Sequence, residues 1–301
     1  MLYSTVTAHA KRETLRAALR QPEILRVPGV LNPLSAKLIE RHEFDAVYIS
    51  GSVLAADLAL PDIGLTTSTE VANRARQITR VTDLPAIVDA DTGFGEPLNL
   101  ARTVQELEDA GVTALHLEDQ QNPKRCGHLD GKQIVDAATA TRRIRAAVEA
   151  RRDPELLIIA RTDIRSVDGL TATKHRAREL QDAGADMIFP EALTDLHEFE
   201  AIRQAVEVPL LANMTEFGKS ELFTAEQLQT VGVDVVIYPV SLQRVAMGAV
   251  DRALSELRAT GSTQSFVDRM QTRAELYDLL GYADYAHLDE SVFTFDLRHN
   301  H

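Results

Sequence analysis

The chain has no tryptophan and only one cysteine in 301 residues. A single thiol excludes an internal disulfide framework and suits a reducing, cytoplasmic setting. No stretch approaches the roughly 18 consecutive apolar residues of a membrane-spanning helix, so no membrane span is expected. Positive charge is in deficit: 32 Lys and Arg stand against 45 Asp and Glu, a net −13 at pH 7. That balance argues against nucleic acid and against anionic membrane surfaces as partners. The first residues include Lys11, Arg12, Glu13 and Arg16 and no continuous apolar segment, so they do not read as a secretory signal. A Gly-x-Gly-x-x-Gly turn after the first strand and a Walker A loop are both missing, which weighs against a nucleotide-binding open sheet. What is present, 45% hydrophobic and 26% charged residues, is ample for a large core.

The apolar residues fall into a rhythm. Short runs at 25–30, 46–50, 86–91, 114–119, 156–163, 187–191, 209–215 and 233–241 have the length of strands buried on both faces. Amphipathic segments lie between them, such as Leu100, Val104 and Leu107 with Arg102, Glu106 and Glu108 on other faces. Gly111, Gly184 and Gly232 stand where helices should end. Eight βα repeats predict an α/β fold, a closed (β/α)8 TIM barrel forming a single domain over residues 1–301. Leu15, Ala18 and Leu19 form a short stripe that could cap the bottom of the barrel. The last barrel helix is expected from Leu242 to about Thr260. Beyond it, 261–301 reads as a C-terminal helical extension. Its apolar residues Phe266, Val267, Met270, Leu276, Leu279 and Leu280 keep a helical period and need a surface to bury against, which suggests a subunit interface.

Chemistry concentrates at the strand ends, which in such a barrel converge on one mouth. The ends carry Tyr48-Ile49-Ser50-Gly51-Ser52, Asp89-Ala90-Asp91, Glu118-Asp119, Arg161-Thr162-Asp163, Pro190-Glu191, Asn213-Met214-Thr215 and Tyr238-Pro239. Asp89 and Asp91, two apart on a strand, can point to one face, and a cation between them would relieve their repulsion. An all-oxygen set suits Mg2+ or Mn2+ better than Zn2+; an acid-rich helix N-terminus is the plainer reading. Arg161, Arg244 and Arg273 are candidate carboxylate clamps, or ordinary surface charges. After the fourth strand comes Lys124-Arg125-Cys126-Gly127-His128. Positive charge from Lys124, Arg125 and His128 would favour the thiolate of Cys126, and Gly127 would allow positive φ and close approach of a ligand. The alternative is a cysteine buried as a small hydrophobe. A divalent metal, a poised thiol and several arginines around a small polycarboxylate describe C–C lyase chemistry.

Together with Leu60-Pro61-Asp62-Ile63-Gly64, Val88 to Gly95, Ala160-Arg161-Thr162-Asp163, Phe189-Pro190-Glu191-Ala192 and Met270-Gln271-Thr272-Arg273, these motifs resemble the isocitrate lyase/phosphoenolpyruvate mutase superfamily over nearly the whole chain. The resemblance implies Mg2+ (or Mn2+) on Asp89 and Asp91, with Asp62 and Glu118 nearby through water. It implies a substrate site of Ser50, Gly51, Ser52, Cys126, Gly127, Arg161, Glu191, Asn213, Met214, Thr215, Arg244 and Arg273. Cys126 would be the proton donor and Tyr48 a base or relay for the substrate hydroxyl, with Lys124, Arg125 and His128 completing the catalytic set. Ser52 replaces a glycine common in that turn, and Met214 a common isoleucine. The Lys-Arg-Cys-Gly-His loop sets the chain apart from the phosphonomutase branch and points to cleavage of the C2–C3 bond of 2-methylisocitrate to pyruvate and succinate. The absence of tryptophan, with Phe189-Pro190 and Pro239 at strand ends, fits a pocket with room for the extra methyl. Isocitrate lyase, dimethylmalate lyase, oxaloacetate decarboxylase or hydrolase, phosphonomutase and a silent small-acid-binding barrel are the alternatives. The family also implies a homotetramer with exchanged C-terminal helices and a tricarboxylate as the small-molecule partner.

Overall fold

All eight expected runs form strands in the computed structural model, which describes residues 3–127, 129 and 131–293. The strands are β1 (Leu25–Pro28), β2 (Val47–Ile49), β3 (Ala86–Asp89), β4 (Ala114–Glu118), β5 (Leu157–Thr162), β6 (Met187–Pro190), β7 (Leu211–Asn213) and β8 (Val235–Tyr238). The helices are α1 (Ala8–Ala18), α2 (Pro33–Arg41), α3 (Gly51–Asp57), α4 (Ser68–Thr79), α5 (Pro97–Asp109), α6 (Ala137–Ala150), α7 (Arg165–Asp182), α8 (Leu196–Arg203), α9 (Ala225–Thr230), α10 (Ser241–Thr260), α11 (Arg273–Leu280) and α12 (Tyr282–Phe293). Every strand pairs parallel with its neighbours, in the orders β1-β8-β7 and β2-β3-β4-β5-β6. Parallel bridges Gly29↔Tyr48 and Ile188↔Leu210 join the two arcs and close the barrel.

Strand periodicity explains the two cores. Tyr48, Leu157, Ile159, Phe189, Leu211 and Ile237 point inward and pack together. Their alternates Val47, Ile49, Ile158 and Ala160 point outward and pack with Leu100, Val104, Leu107, Ile144 and Leu180 of the helices. Leu15 of α1 joins the inner cluster, so the N-terminal stripe does plug the barrel. Full burial of that side chain contributes about 1.5–3 kcal/mol. Lys11 and Arg12 fasten the same helix by donating to the carbonyls of Thr79, Thr82, Val112 and Glu108. The glycines expected to end helices, Gly111, Gly184 and Gly232, have φ of 83°, 104° and 83°.

Register sets the mouth: Asp89 of β3 pairs with His116 of β4, and Glu118 of β4 with Arg161 of β5. Past the barrel, the apolar period from Phe266 onward does not make one helix. A 3-10 turn at Val267–Arg269 and extended backbone at Met270 interrupt it. Thr272 then starts α11, its hydroxyl capping the Glu275 N–H and the Glu275 carboxylate accepting from the Thr272 N–H. α10 and α12 bury no residue within the chain, and Val245, Met247, Leu254, Tyr285, Leu288 and Val292 are exposed. Among the described residues, no helix is long and apolar enough to cross a membrane.

Candidate active site

The carboxylates converge through a turn. β3 ends at Asp89, and Asp91 takes the left-handed conformation at φ 47°, so strand alternation is not what brings the pair together. Such backbone strain recurs at functional sites. Asp89 Oδ1 accepts from the Asp91 N–H (3.0 Å) and Oδ2 from the Gly51 N–H (3.2 Å). A Cβ on Gly51 would lie 2.9 Å from Asp89 Oδ2 and 3.5 Å from Asp91 Oδ1, so a bare backbone is needed there. Lys124 Nζ stands 2.6 Å from both Asp62 Oδ1 and Asp91 Oδ1. Burial pushes Asp91 up to about 6, despite the nearby ammonium, and pushes Glu118 well above the carboxylate range. Burial would also lower Lys124, but Asp91, Glu118, Asp89 and Asp62 outweigh it and hold its pKa well above the usual value.

Among the described residues, no three His, Cys, Asp or Glu side chains form a ready-made metal cage. The donors nevertheless fit a divalent ion. Both oxygens of Glu118 are buried without a hydrogen-bond donor, although Arg161 lies within ion-pair distance, and Asp91 Oδ1 meets only the Lys124 ammonium. Buried carboxylate oxygens of this kind attract a hard, oxygen-seeking cation such as Mg2+ or Mn2+.

The thiol lies on a loop folded over the mouth. An antiparallel bridge Gln120↔Ile134 and the Gln121 N–H to Gln133 carbonyl bond (2.8 Å) close its base. The Gln120 amide clasps the backbone of Arg125, accepting its N–H at 2.9 Å and donating to its carbonyl at 2.8 Å. The Arg125 side chain is exposed and lies outside the cavity lining, while Lys124 lines the cavity beside Cys126 and is engaged with Asp62 and Asp91. His128 lies outside the described residues. Gly127 has no positive φ. Its small size is what counts, because a Cβ would lie 2.4 Å from Glu191 Cγ and 2.5 Å from an Arg161 nitrogen.

Tyr48, Ser50, Ser52, Asp62, Asp89, Lys124, Cys126, Gly127, Arg161, Glu191, Asn213, Thr215 and Arg244 line one cavity with Pro239 and Val240, whose interior and open mouth together hold about 480 Å³ of atom-free space. A second pocket, with about 1010 Å³ of atom-free space including its open side, adjoins it; the two share Lys124, and Asp91 lines the second. Arg161 is buried and its fork is occupied by Asp163 (2.9 and 3.1 Å), with Glu118 and Glu191 each 3.3 Å away, so it reaches the cavity as part of a charge network and not as an unengaged clamp. Asn213 Nδ2 donates to Glu191 at 3.3 Å. Arg244 is half-exposed, held by Glu216 (2.9 Å) and stacked over Phe217.

Two expected substrate contacts are not brought in. Met214 is buried in the outer core, because alternation turns it away while Asn213 and Thr215 face the mouth. Arg273 opens the exposed helix α11, which packs beside α2 through the Arg41–Asp278 ion pair (2.7 Å), outside the cavity lining. Phe189 is also not in the lining; it lies under Arg161 and against His116.

Tyr48 donates to or accepts from His116 Nε2 at 2.7 Å. Burial, then the charge of Asp89, pushes the phenol well above its usual range, which suits it as a hydroxyl donor and not as a base. Burial lowers His116 to about 4, so its ring is neutral. Sequence reasoning passed over His116, although it stands two residues before Glu118 and so shares its inward face. It also passed over Lys132, which no motif or period distinguishes.

Residues 15–258 match the family described as phosphoenolpyruvate phosphomutase. A Corynebacterium glutamicum protein named probable 2-methylisocitrate lyase 2 is 58% identical over 292 residues, 97% of this chain and 95% of that protein. Among solved structures, a 2,3-dimethylmalate lyase superposes with a TM-score of 0.88 at 34% identity, covering 96% of each chain. A phosphonopyruvate hydrolase solved with oxalate and Mg2+ gives 0.85 at 28% identity, over 93% of this chain and 98% of that one. With its closed barrel, its carboxylate cluster and these likenesses, the chain belongs to the isocitrate lyase/phosphoenolpyruvate mutase superfamily.

Proposed function

We propose that this protein cleaves the C2–C3 bond of 2-methylisocitrate to pyruvate and succinate. The observation that carries the reading is the lone thiol, Cys126, lining the same cavity as Asp89, Arg161, Glu191 and Arg244. Arg161 and Arg244, with Asn213 and Thr215, supply cationic and polar contacts for the substrate carboxylates. Ser50, Gly51 and Ser52 at the start of α3 flank the end that becomes pyruvate. Tyr48, kept protonated, donates toward the oxygen that develops charge. The C2 hydroxyl proton passes to Glu191, which lines the cavity, and the C2–C3 electron pair passes to C3, leaving pyruvate and the aci-carboxylate of succinate. Cys126 gives its proton to that carbon, and succinate results.

Asp89, Asp91, Asp62 and Glu118 are the residues that would hold Mg2+ or Mn2+. When bound, the ion supplies Lewis-acid stabilisation of the developing negative charge. The exposed apolar faces of α10 and α12 support a homotetramer in which the extension after residue 261 packs on a neighbour, and that arrangement offers Arg273 a site on another subunit's mouth. A single cysteine and the acidic charge support a cytoplasmic location.

The test is the release of pyruvate and succinate from 2-methylisocitrate by the purified protein and by Cys126→Ser. The wild type should turn over, and the serine variant should bind substrate but lose about 10²–10⁴-fold in kcat, the range of a missing general acid. No product from the wild type in the presence of Mg2+ would overturn the reading.

A further inference from the structure

Lys132 is outside every motif, yet its side chain is only 1% exposed. Burying an ammonium is costly unless it is paired and hydrogen-bonded. Its two acceptors come from different parts of the chain. One is the carbonyl of Gly127, the residue after the thiol. The other is Asp163 Oδ1, 3.0 Å away at the end of β5. Asp163 is itself fully buried and engages both Arg161 and the ammonium, while its N–H donates to Asp119 Oδ1 at 2.9 Å. On the other side of the thiol, the Gln120 amide grips Arg125 by both backbone groups. The Cys126 carbonyl accepts from the Leu129 N–H at 2.9 Å. The peptide units around Cys126 are thus fixed on both flanks, and Gly127 is seated against Arg161 and Glu191 with no room for a Cβ.

We propose that Lys132 is a positioning residue that latches the Cys126–Gly127 segment onto the Asp163–Arg161 wall and so sets the place of the thiol. It acts through the Gly127 carbonyl and does not line the cavity. The proposal rests on Cys126 serving the reaction, and the test separates the two ideas. Lys132→Met removes the latch and keeps most of the volume. Amide hydrogen exchange of residues 121–135 should then speed up about tenfold or more, as local opening becomes easier, while β4 and β5 keep their protection. With 2-methylisocitrate, kcat should fall about 10²-fold, the scale of a small misplacement, with KM changed less than about threefold. Lys132→Arg should recover part of both effects. If Lys132→Met does not fold, Lys132→Gln, a neutral donor too short to span both acceptors, is read the same way. Unchanged exchange in the loop, or equal loss of protection in loop and strands, would overturn the latch. A loosened loop in a protein whose wild type does not turn over 2-methylisocitrate would support the latch and overturn the substrate reading.

Discussion

Lys124 Nζ lies 2.6 Å from Asp91 Oδ1 and 2.6 Å from Asp62 Oδ1, so one ammonium bridges two carboxylates. That ammonium does not satisfy the whole cluster, because Glu118 keeps two buried oxygens without hydrogen-bond donors. A divalent ion satisfies such oxygens better than one cation on a flexible stem. Calorimetric titration with Mn2+ should show one site, and Asp91→Asn should weaken it about 10–100-fold or more. Excess chelator should abolish turnover reversibly. Full activity in chelator would remove the metal from the reading.

Gly127 is the second point of vulnerability. Adding one methyl places it 2.4–2.6 Å from Glu191 and Arg161, which are themselves buried and cross-linked. The loop must then lift. Gly127→Ala should leave the unfolding midpoint nearly unchanged but lower kcat by about 10²-fold, because the thiol moves with the loop. A variant with wild-type kcat would show that the loop adapts without moving the chemistry.

Much of this was legible in the chain. Eight short apolar runs gave the barrel because parallel strands buried on both faces need no polar alternation, and the polar residues at their ends marked the mouth. Three things were not. Asp91 read as the last residue of the strand, since only backbone geometry shows that it has left it. Arg161 looked like an open clamp because its partners Asp163, Glu118 and Glu191 lie on itself and on neighbouring strands. Lys132 sat in a segment without periodicity, where burial is decided by how the loop folds back. The helical stripe after Phe266 misled for a different reason: the apolar period was real, but the Thr272 cap starts a new helix within it.

His116 gives the pH prediction. Burial between Tyr48 and Phe189 lowers its pKa from 6.5 to about 4. In the unfolded chain it takes up a proton as pH falls through about 6.5, while the folded chain refuses it until about 4. Stability that is intact above 6.5 is therefore lost progressively down to about 4, by up to about 3 kcal/mol. His116→Asn lacks this term. Urea unfolding of both proteins should show the wild type's advantage shrinking by about that amount between pH 7 and pH 4. An advantage independent of pH would mean that the ring is not held neutral.

Substrate choice rests on the apolar part of the cavity. Besides the Tyr48 ring, the lining offers Pro239 and Val240 as its apolar side chains, both following β8. Phe189, expected from sequence to shape this pocket, is instead packed beneath Arg161. The methyl that distinguishes 2-methylisocitrate from isocitrate therefore has one apolar wall to meet. A single methyl contact separates two substrates by only about 1–3 kcal/mol, or roughly 10–200-fold in kcat/KM. The protein should prefer 2-methylisocitrate within that range and still cleave isocitrate detectably. Val240→Leu narrows the wall, so it should lower kcat/KM for the methylated substrate more than for isocitrate. Side-by-side kcat/KM values for both acids with both proteins decide the matter. A wild type that prefers isocitrate, or a Val240→Leu variant that reduces both values equally, would show that the methyl does not sit against this wall.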